Sequence, residues 1–381
     1  MEATELKDAV YEEVSKCNKC GFCLPSCPVF LATGIETYAP RGRNAITRSI
    51  IEGKLDVGSQ VEKSIYQCIG CRACVEACFP AVRTNDVVNT FRKRLASMGS
   101  MPEVHRLLIE NIKRFGNPLG EAREKRTEIY PKSYEDRQAD TLVFLGCVPS
   151  YQDLHIVPST MEILKAASVS FSAQGTEEQC CGYLAHLVGS DHFEEIAKQN
   201  IEKIRKRKAK VMITPCAGCT KAFRDLYPKV ADWDIPVYHT TEYLQKLVEE
   251  GKLHFKKTIQ KKVAYHDPCD LGRHLKVYDP PRAVLKALPG LELVEFPTNR
   301  NLAKCCGGGG GVKAFDINLS GEVARERVLE ASRTGAEIIV SGCPSCKSNL
   351  QVAAAKLRKE GKAKIKVMDI TEIVLDSLQE G

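Results

Sequence analysis

Lys210-Val-Met-Ile-Thr-Pro-Cys-Ala-Gly-Cys-Thr220 runs from a short apolar stretch straight into a Cys-x-x-Cys pair, and Ala336-Glu-Ile-Ile-Val-Ser-Gly-Cys-Pro-Ser-Cys-Lys347 does the same further on. Each apolar stretch predicts a buried strand, and the residues after each pair (Thr220 to Tyr227; Lys347 to Leu357) predict a helix. Strand, thiols, helix is the unit of a parallel α/β sheet, in which ligands bind at the carboxyl ends of the strands. A thiol pair opening a helix meets free backbone N–H groups and the positive end of the helix dipole, and both favour thiolate. Two further short strands carry one thiol each: Thr141-Leu-Val-Phe-Leu145 leads to Cys147, and Val263-Ala-Tyr-His266 leads to Cys269. Between strand and pair sit adjacent cysteines, Cys180 and Cys181 before Gly182, and Cys305 and Cys306 before Gly307. The steps from Cys147 to Cys269, Cys180 to Cys305 and Cys216 to Cys343 are 122, 125 and 127 positions, so the carboxy-terminal region is an internal duplication.

Each half thus offers five thiols: Cys147, Cys180, Cys181, Cys216 and Cys219, then Cys269, Cys305, Cys306, Cys343 and Cys346. Adjacent cysteines do not both reach one small tetrahedral ion comfortably, which favours a multinuclear metal site. The alternative is Zn²⁺ held by four of the five, and it idles a fifth thiol twice. A thioredoxin-like dithiol is the other reading of an isolated Cys-x-x-Cys, weakened here by the three thiols upstream of each pair.

The first 90 residues hold the other eight of the chain's eighteen cysteines. Cys17, Cys20, Cys23 and Cys27 before Pro28 have the spacing C-x2-C-x2-C-x3-C-P, and Cys68, Cys71, Cys74 and Cys78 repeat it with Pro80 one place late. The doubled run resembles a bacterial two-cluster ferredoxin, in which the last cysteine of each run ligates the other cluster. That resemblance implies one cubane [4Fe-4S] cluster on Cys17, Cys20, Cys23 and Cys78 and another on Cys68, Cys71, Cys74 and Cys27. A helical insert is expected from about Arg43 to Gln67, entered through Tyr38-Ala-Pro-Arg-Gly-Arg43. Its arginines Arg41 and Arg43 face either an anionic cluster, a partner's carboxylates or solvent.

Eighteen cysteines among 381 residues would suggest disulfides in a short secreted chain, but these fall into metal-ligand spacings. The stretch MEATELKDAVYEEVSK lacks an apolar core of signal-peptide type, so a reducing cytoplasm is expected, peripheral to a membrane only through a partner. No apolar run reaches the ~20 residues of a membrane helix. The formal charge of +7 counts every thiol as neutral, and ligating thiolates cancel part of it. Its basic runs read as solvated helix faces and not as a nucleic-acid surface.

The expected organisation is an amino-terminal module over residues 1–90, a helical connector over 91–140, and α/β halves over 141–255 and 256–381. In the connector, Val104, Leu107, Leu108, Ile112 and Phe115 keep helical spacing from Phe91 up to the stop at Gly116-Asn-Pro118. The charged segment from Glu121 to Asp140 is expected to cover or link, with no chemistry of its own. The glycine run Gly307 to Gly311 does not match a dinucleotide fingerprint. It is expected to leave the second five-thiol site uncovered by side chains, which makes that site the candidate for admitting a substrate. His266, Asp267, Arg273 and His274 surround Cys269. His266 is either a proton donor beside the site or, with Asp267, a cap on the strand-to-helix turn, and His186 reads as a satisfied helix residue.

Cys-x-x-Cys-Gly-Phe-Cys, Pro-Arg-Gly-Arg, the second ferredoxin run and the two Cys-Cys-Gly halves together resemble the CCG-domain iron–sulfur proteins, typified by the D subunit of heterodisulfide reductase and the iron–sulfur subunits of glycolate and lactate oxidases. The match covers roughly 14–90 and 141–376. Tyr265-His-Asp-Pro-Cys-Asp-Leu-Gly-Arg-His274 and Cys305-Cys-Gly-Gly-Gly-Gly-Gly-Val312 are most similar to the heterodisulfide reductase branch. The resemblance implies a helical two-[4Fe-4S] module followed by two Rossmann-like parallel-sheet CCG halves. It also implies two cubane clusters and two noncubane [4Fe-4S] clusters, with zinc the alternative in one half. No flavin is expected on this chain; a flavoprotein (FAD) partner, further electron-transfer subunits or a membrane cytochrome would complete an anaerobic multi-subunit oxidoreductase. Three roles stay open. The first is an electron relay. The second is a catalytic disulfide or heterodisulfide reductase acting at Cys269, Cys305, Cys306, Cys343 and Cys346 with His266. The third is a zinc-stabilised scaffold. The iron–sulfur component of an FAD-linked glycolate or lactate dehydrogenase is a variant of the relay.

Overall fold

The computed structural model describes residues 10–378. Two four-stranded sheets, every pairing parallel, make up the carboxy-terminal two thirds. In the first, β1 (Thr141–Val143), β2 (Phe171–Ala173), β3 (Val211–Thr214) and β4 (Val237–His239) lie in the order β2-β1-β3-β4. In the second, β5 (Lys262–His266), β6 (Glu292–Val294), β7 (Ile338–Ser341) and β8 (Lys366–Asp369) lie in the order β6-β5-β7-β8. The identical order is the duplication seen in the thiol spacing. Both inner strands of each sheet are nearly all buried, as apolar runs covered on two faces must be. In both sheets the chain leaves the first central strand one way and the second the other, so the crevice where strand order reverses lies between β1 and β3 and between β5 and β7. These four strands are the ones that deliver cysteines.

The halves pack on each other reciprocally. Helix Ile156–Ala166 of the first meets Ile370–Leu378 of the second, and Thr240–Glu249 meets Asp279–Ala287. Val143, Leu145, Leu244, Val263, Val340 and Met368 belong to the single apolar cluster between them.

The amino-terminal module is helical around Val14, Ile65, Tyr66, Val88, Phe91 and Leu95. Its helix Pro28–Thr33 starts on the proline after Cys27, a favoured first position. The second run differs: Cys78 leads into Phe79-Pro80 and a left-handed Ala81 (φ 55°), and the helix begins only at Thr84. The single insert expected from Arg43 to Gln67 is two helices, Pro40–Ile51 and Ser59–Tyr66, divided where Gly53 turns left-handed. The connector's helical stretch is likewise divided into Thr84–Ser97 and Glu103–Phe115, because Gly99 takes φ 80° and Pro102 precedes the second helix.

The module is no separate bead. Cys27, Val29, Ile69 and Cys71 share one apolar cluster with Ala264, Cys305 and Leu319 of the second half. Ile109 and Ile112 of the connector pack with Phe144 and Phe223 of the first half.

Candidate metal centres

The thiols gather into four groups. One small cavity is lined by Cys17, Cys20, Cys23 and Cys78, with Cys74 on its wall, and a second by Cys27, Cys68, Cys71 and Cys74. The last cysteine of each run therefore sits with the first three of the other. The first cavity is at the surface: Cys20 is exposed, and the neighbouring Phe22 and Phe79 are 64% and 89% exposed. The second is interior, and burial pushes the Cys27 thiol up to about 11.

In the second half, Cys305, Cys306, Cys343 and Cys346 are buried and Cys269 half-buried, with Cys306 Sγ 3.2 Å from Cys346 Sγ. In the first, Cys181 Sγ lies 3.3 Å from Cys219 Sγ, and both Cys147 and Cys216 are half-buried. Cys216 and Cys343 cap their helices, which begin at Ala217 and Pro344, a few residues earlier than the sequence pattern places them. Cys219 and Cys346 thus occupy first helical turns, where N–H groups are free. Amides also point at sulfur: Gly182 N–H donates to Cys180 at 3.4 Å and Gly308 N–H to Cys306 at 3.4 Å. Hydrogen bonds from Cys180 and Cys219 hold the Cys181 thiol down to about 6.

The glycine run does not open the second site. A Cβ on Gly310 would stand 2.5 Å from the carbonyl oxygen of Cys68, and one on Gly309 would stand 3.1 Å from that of Ile69. The run is the surface on which the amino-terminal module is seated, and glycine is used because backbone meets backbone. The seam buries Cys71 and Cys305 in one cluster, and the neighbouring Cys305 thiol pulls the Cys71 thiol down to about 6. Three side chains fasten it. Arg92, wholly buried, donates to the carbonyls of Ile65 (3.0 Å), Tyr66 (3.1 Å), Cys68 (2.6 Å), Leu187 (2.8 Å) and Gly310 (3.1 Å), so one guanidinium ties together the module and both halves. Arg273 donates to Cys71 O at 2.5 Å and to Ala303 O. The His274 ring nitrogen lies 3.1 Å from Gly70 O.

Neither Asp267 nor His266 caps the strand-to-helix turn. Asp267 grips Arg282 with both oxygens (2.7 and 2.9 Å) and accepts from Arg300 N–H. His266 Nδ1 accepts from Arg327 at 3.2 Å, which leaves Nε2 to carry the proton; with Cys306 and Cys346 it forms a cluster whose ligand atoms lie within 4.8 Å of one another. The two five-thiol groups meet across a bond between halves, Tyr183 Oη to Asp270 Oδ1 at 2.7 Å. His186 packs its ring between Tyr183 and Phe193.

The connector does supply chemistry. Arg126 pairs with Glu178 in the interior, and the Glu178 carboxylate accepts the N–H groups of Leu145 and Gly146 at 2.9 Å each. The Arg126 charge also acts on the Cys147 thiol, opposing the rise that Cys180 and burial impose, and the thiol stays well above its ordinary value. Arg92 and Arg126 escaped the sequence reading. The available signal for Arg92 was an arginine within the apolar stripe Val88, Phe91, Leu95 of its helix.

The donor sets fit iron–sulfur clusters. Every group is made of thiols, amides point at the sulfurs, and the buried Nη2 atoms of Arg43 and Arg273 have no protein acceptor, which leaves N–H groups for sulfide or thiolate. Comparisons with known proteins agree. Residues 141–224 and 263–351 match the cysteine-rich domain family CCG, and residues 13–81 match the 4Fe-4S dicluster domain. The D subunit of the dihydromethanophenazine:CoB–CoM heterodisulfide reductase of Methanosarcina mazei is 33% identical over 389 residues, spanning 96% of this chain and 94% of that one. EtfAB:quinone oxidoreductase of Syntrophomonas wolfei is 31% identical over 345 residues, covering 85% of this chain and 47% of that one. A hypothetical protein from Helicobacter pylori of known structure shares the fold at a TM-score of 0.61 with 8% identity, covering all of this chain and 77% of that one.

Proposed function

The chain belongs to the CCG-domain iron–sulfur proteins, in the family of the heterodisulfide reductase D subunits, and is an electron-transfer subunit of an oxidoreductase; we propose that it takes single electrons from a flavoprotein partner and passes them inward through its four thiol groups. The observation that carries the order is the packing of Cys71 and Cys305 into one buried cluster across the seam. Electrons entering at the exposed group of Cys17, Cys20, Cys23 and Cys78 reach the group of Cys27, Cys68, Cys71 and Cys74. They then cross the seam to the second five-thiol group, and last reach the first.

We assign a cubane [4Fe-4S] cluster to each four-cysteine group and a noncubane [4Fe-4S] cluster to each five-cysteine group. When bound, these clusters supply one-electron transfer, with potentials set by charge, hydrogen bonding and exposure. The chain's own residues do the positioning. Arg92 and the glycine run hold the module against the second half, and Tyr183 with Asp270 joins the two five-thiol groups. A two-electron organic donor needs a flavin upstream, so a flavoprotein partner follows from one-electron carriers. Among the described residues no helix is long and apolar enough to cross a membrane, so a membrane acceptor would be met through a partner.

Substitution tests the assignment. In full-length chain prepared without oxygen, Cys78→Ala should remove the same electron paramagnetic resonance signal as Cys20→Ala, and Cys27→Ala the same one as Cys68→Ala. Signals grouped by sequence run would overturn the crossed sets. A second reading, cleavage of a disulfide, is favoured by the proton-bearing groups at the facing sites: the Tyr183 hydroxyl, held on Asp270 between them, and His266 Nε2 beside Cys306. Disulfide reduction consumes two electrons and two protons, and releases two thiols. Turnover of a disulfide by the purified chain with an artificial reductant, lost in Cys306→Ala, would establish it; no turnover would leave the chain a relay.

A further inference from the structure

Five arginines are among the largest fully buried side chains: Arg43, Arg92, Arg126, Arg273 and Arg327. Arg126 is neutralised by Glu178 and Arg327 by Glu330. Arg43, Arg92 and Arg273 have no carboxylate within ion-pair distance among the described residues. All three border the same thiol group. Arg43 lines the cavity of Cys27, Cys68, Cys71 and Cys74 and donates to Ser64 O at 2.8 Å. Arg92 donates to Cys68 O at 2.6 Å, and Arg273 to Cys71 O at 2.5 Å. Among the described residues the surface group has no such neighbour; its Arg41 is partly exposed and pairs with Glu36.

Carbonyl oxygens satisfy hydrogen bonds but bring no net charge, and a buried guanidinium stays protonated and needs a counter-ion. Three of them around one thiol group therefore leave only the thiolates and what they bind to neutralise them. A nearby cation favours whichever state is more negative, which is the reduced state of a cluster. Burial acts the other way, since taking on charge away from water is costly. The surface group has water to help it, and the buried one has three fixed cations.

We infer that Arg43, Arg92 and Arg273 form a cationic collar that makes the buried four-cysteine group the stronger electron acceptor of the two, so that an electron entering at the surface group comes to rest beside Cys305. This inference rests on the relay reading and adds to it the residues that impose its inward first step.

The test is a redox titration of the full-length, cluster-containing chain followed by electron paramagnetic resonance. Arg43→Gln and Arg92→Gln should each shift the reduced-to-oxidised ratio of the buried group at least tenfold toward oxidised at a given solution potential, which is 59 mV for a one-electron couple. Arg43→Lys, which keeps the charge, should stay within about threefold of the unmodified chain, and Arg41→Gln should leave the buried group unmoved. Arg43 is the milder site, because a single carbonyl bond is lost there against the several that Arg92 makes. Equal potentials in Arg43→Gln and the unmodified chain would overturn the collar while leaving the relay standing, as would a surface group with the higher potential. An unmodified chain without two cubane signals would overturn both.

Discussion

Gly310→Ala is the sharpest probe of the seam. Gly310 has φ +65°, and a Cβ there would lie 2.5 Å from Cys68 O and 2.8 Å from both the carbonyl carbon and oxygen of Ile69. A left-handed conformation costs a residue with a Cβ about 1–2 kcal/mol. Forcing a methyl group into a closed contact costs about 1–3 kcal/mol more when the obstacle is backbone that cannot rotate away. Together they weaken the seam by about 2–5 kcal/mol, and at 1.4 kcal/mol per decade that is about 30-fold or more in its opening equilibrium. The Arg92 bond to Gly310 O, 3.1 Å long, would be strained by the same movement. Hydrogen exchange under native conditions reads this directly: amides of residues 68–71 and 307–312 should lose protection by that factor, while those of β7 keep theirs. Gly321→Ala is the control, since Gly321 sits within helix Ile317–Arg333 with nothing inside 4 Å of its Cβ position and should gain up to ~1 kcal/mol of helix stability. Full protection at the seam in Gly310→Ala would refute the claim that the glycine run exists for backbone contact.

Other perturbations bear on the interior charges. Arg126→Leu strands Glu178 in the interior and should destabilise the first half by about 3–5 kcal/mol, read as an earlier thermal transition in circular dichroism; Arg126→Leu combined with Glu178→Gln should recover part of the loss. His105, buried with its ring nitrogen 3.0 Å from Gly311 O, is pulled down to about 4 by burial, against an unfolded value near 6.5. The unfolded chain therefore binds a proton that the folded chain refuses, so stability is intact above pH ~6.5 and falls by up to about 3 kcal/mol as pH drops toward 4. His105→Gln should flatten the fall in melting temperature across that window relative to the unmodified chain; an unchanged slope would show that His105 does not contribute.

Much of the grouping of the thiols was legible in the sequence because their spacing is local. Cys17 to Cys27, Cys68 to Cys78 and the two Cys-x-x-Cys pairs each report their own turn or helix start, and the doubled five-thiol spacing marked the duplication that the two sheets repeat in their strand order. What joins the groups was not legible. Cys71 and Cys305 are 234 positions apart, and no periodicity relates residues that meet across a seam. The glycine run shows the difficulty: five glycines announce that something comes close, but not whether it is a substrate or backbone of the same chain, and the reading of an open site took the wrong one. The arginines show it again. Arg41 and Arg43, two residues apart in one motif, have opposite fates, because successive helix positions differ by about 100° and only one of these two faces the core. Arg41 stays at the surface on Glu36, while Arg43 is buried against Ser64 and lines the cavity of Cys27. A charge placed on the buried face of an otherwise amphipathic helix is expensive unless an opposite charge waits there. The same stripe logic puts Arg92, between Val88 and Leu95, on the buried face of its helix, and the carbonyl of Cys68 is one place where that guanidinium ends.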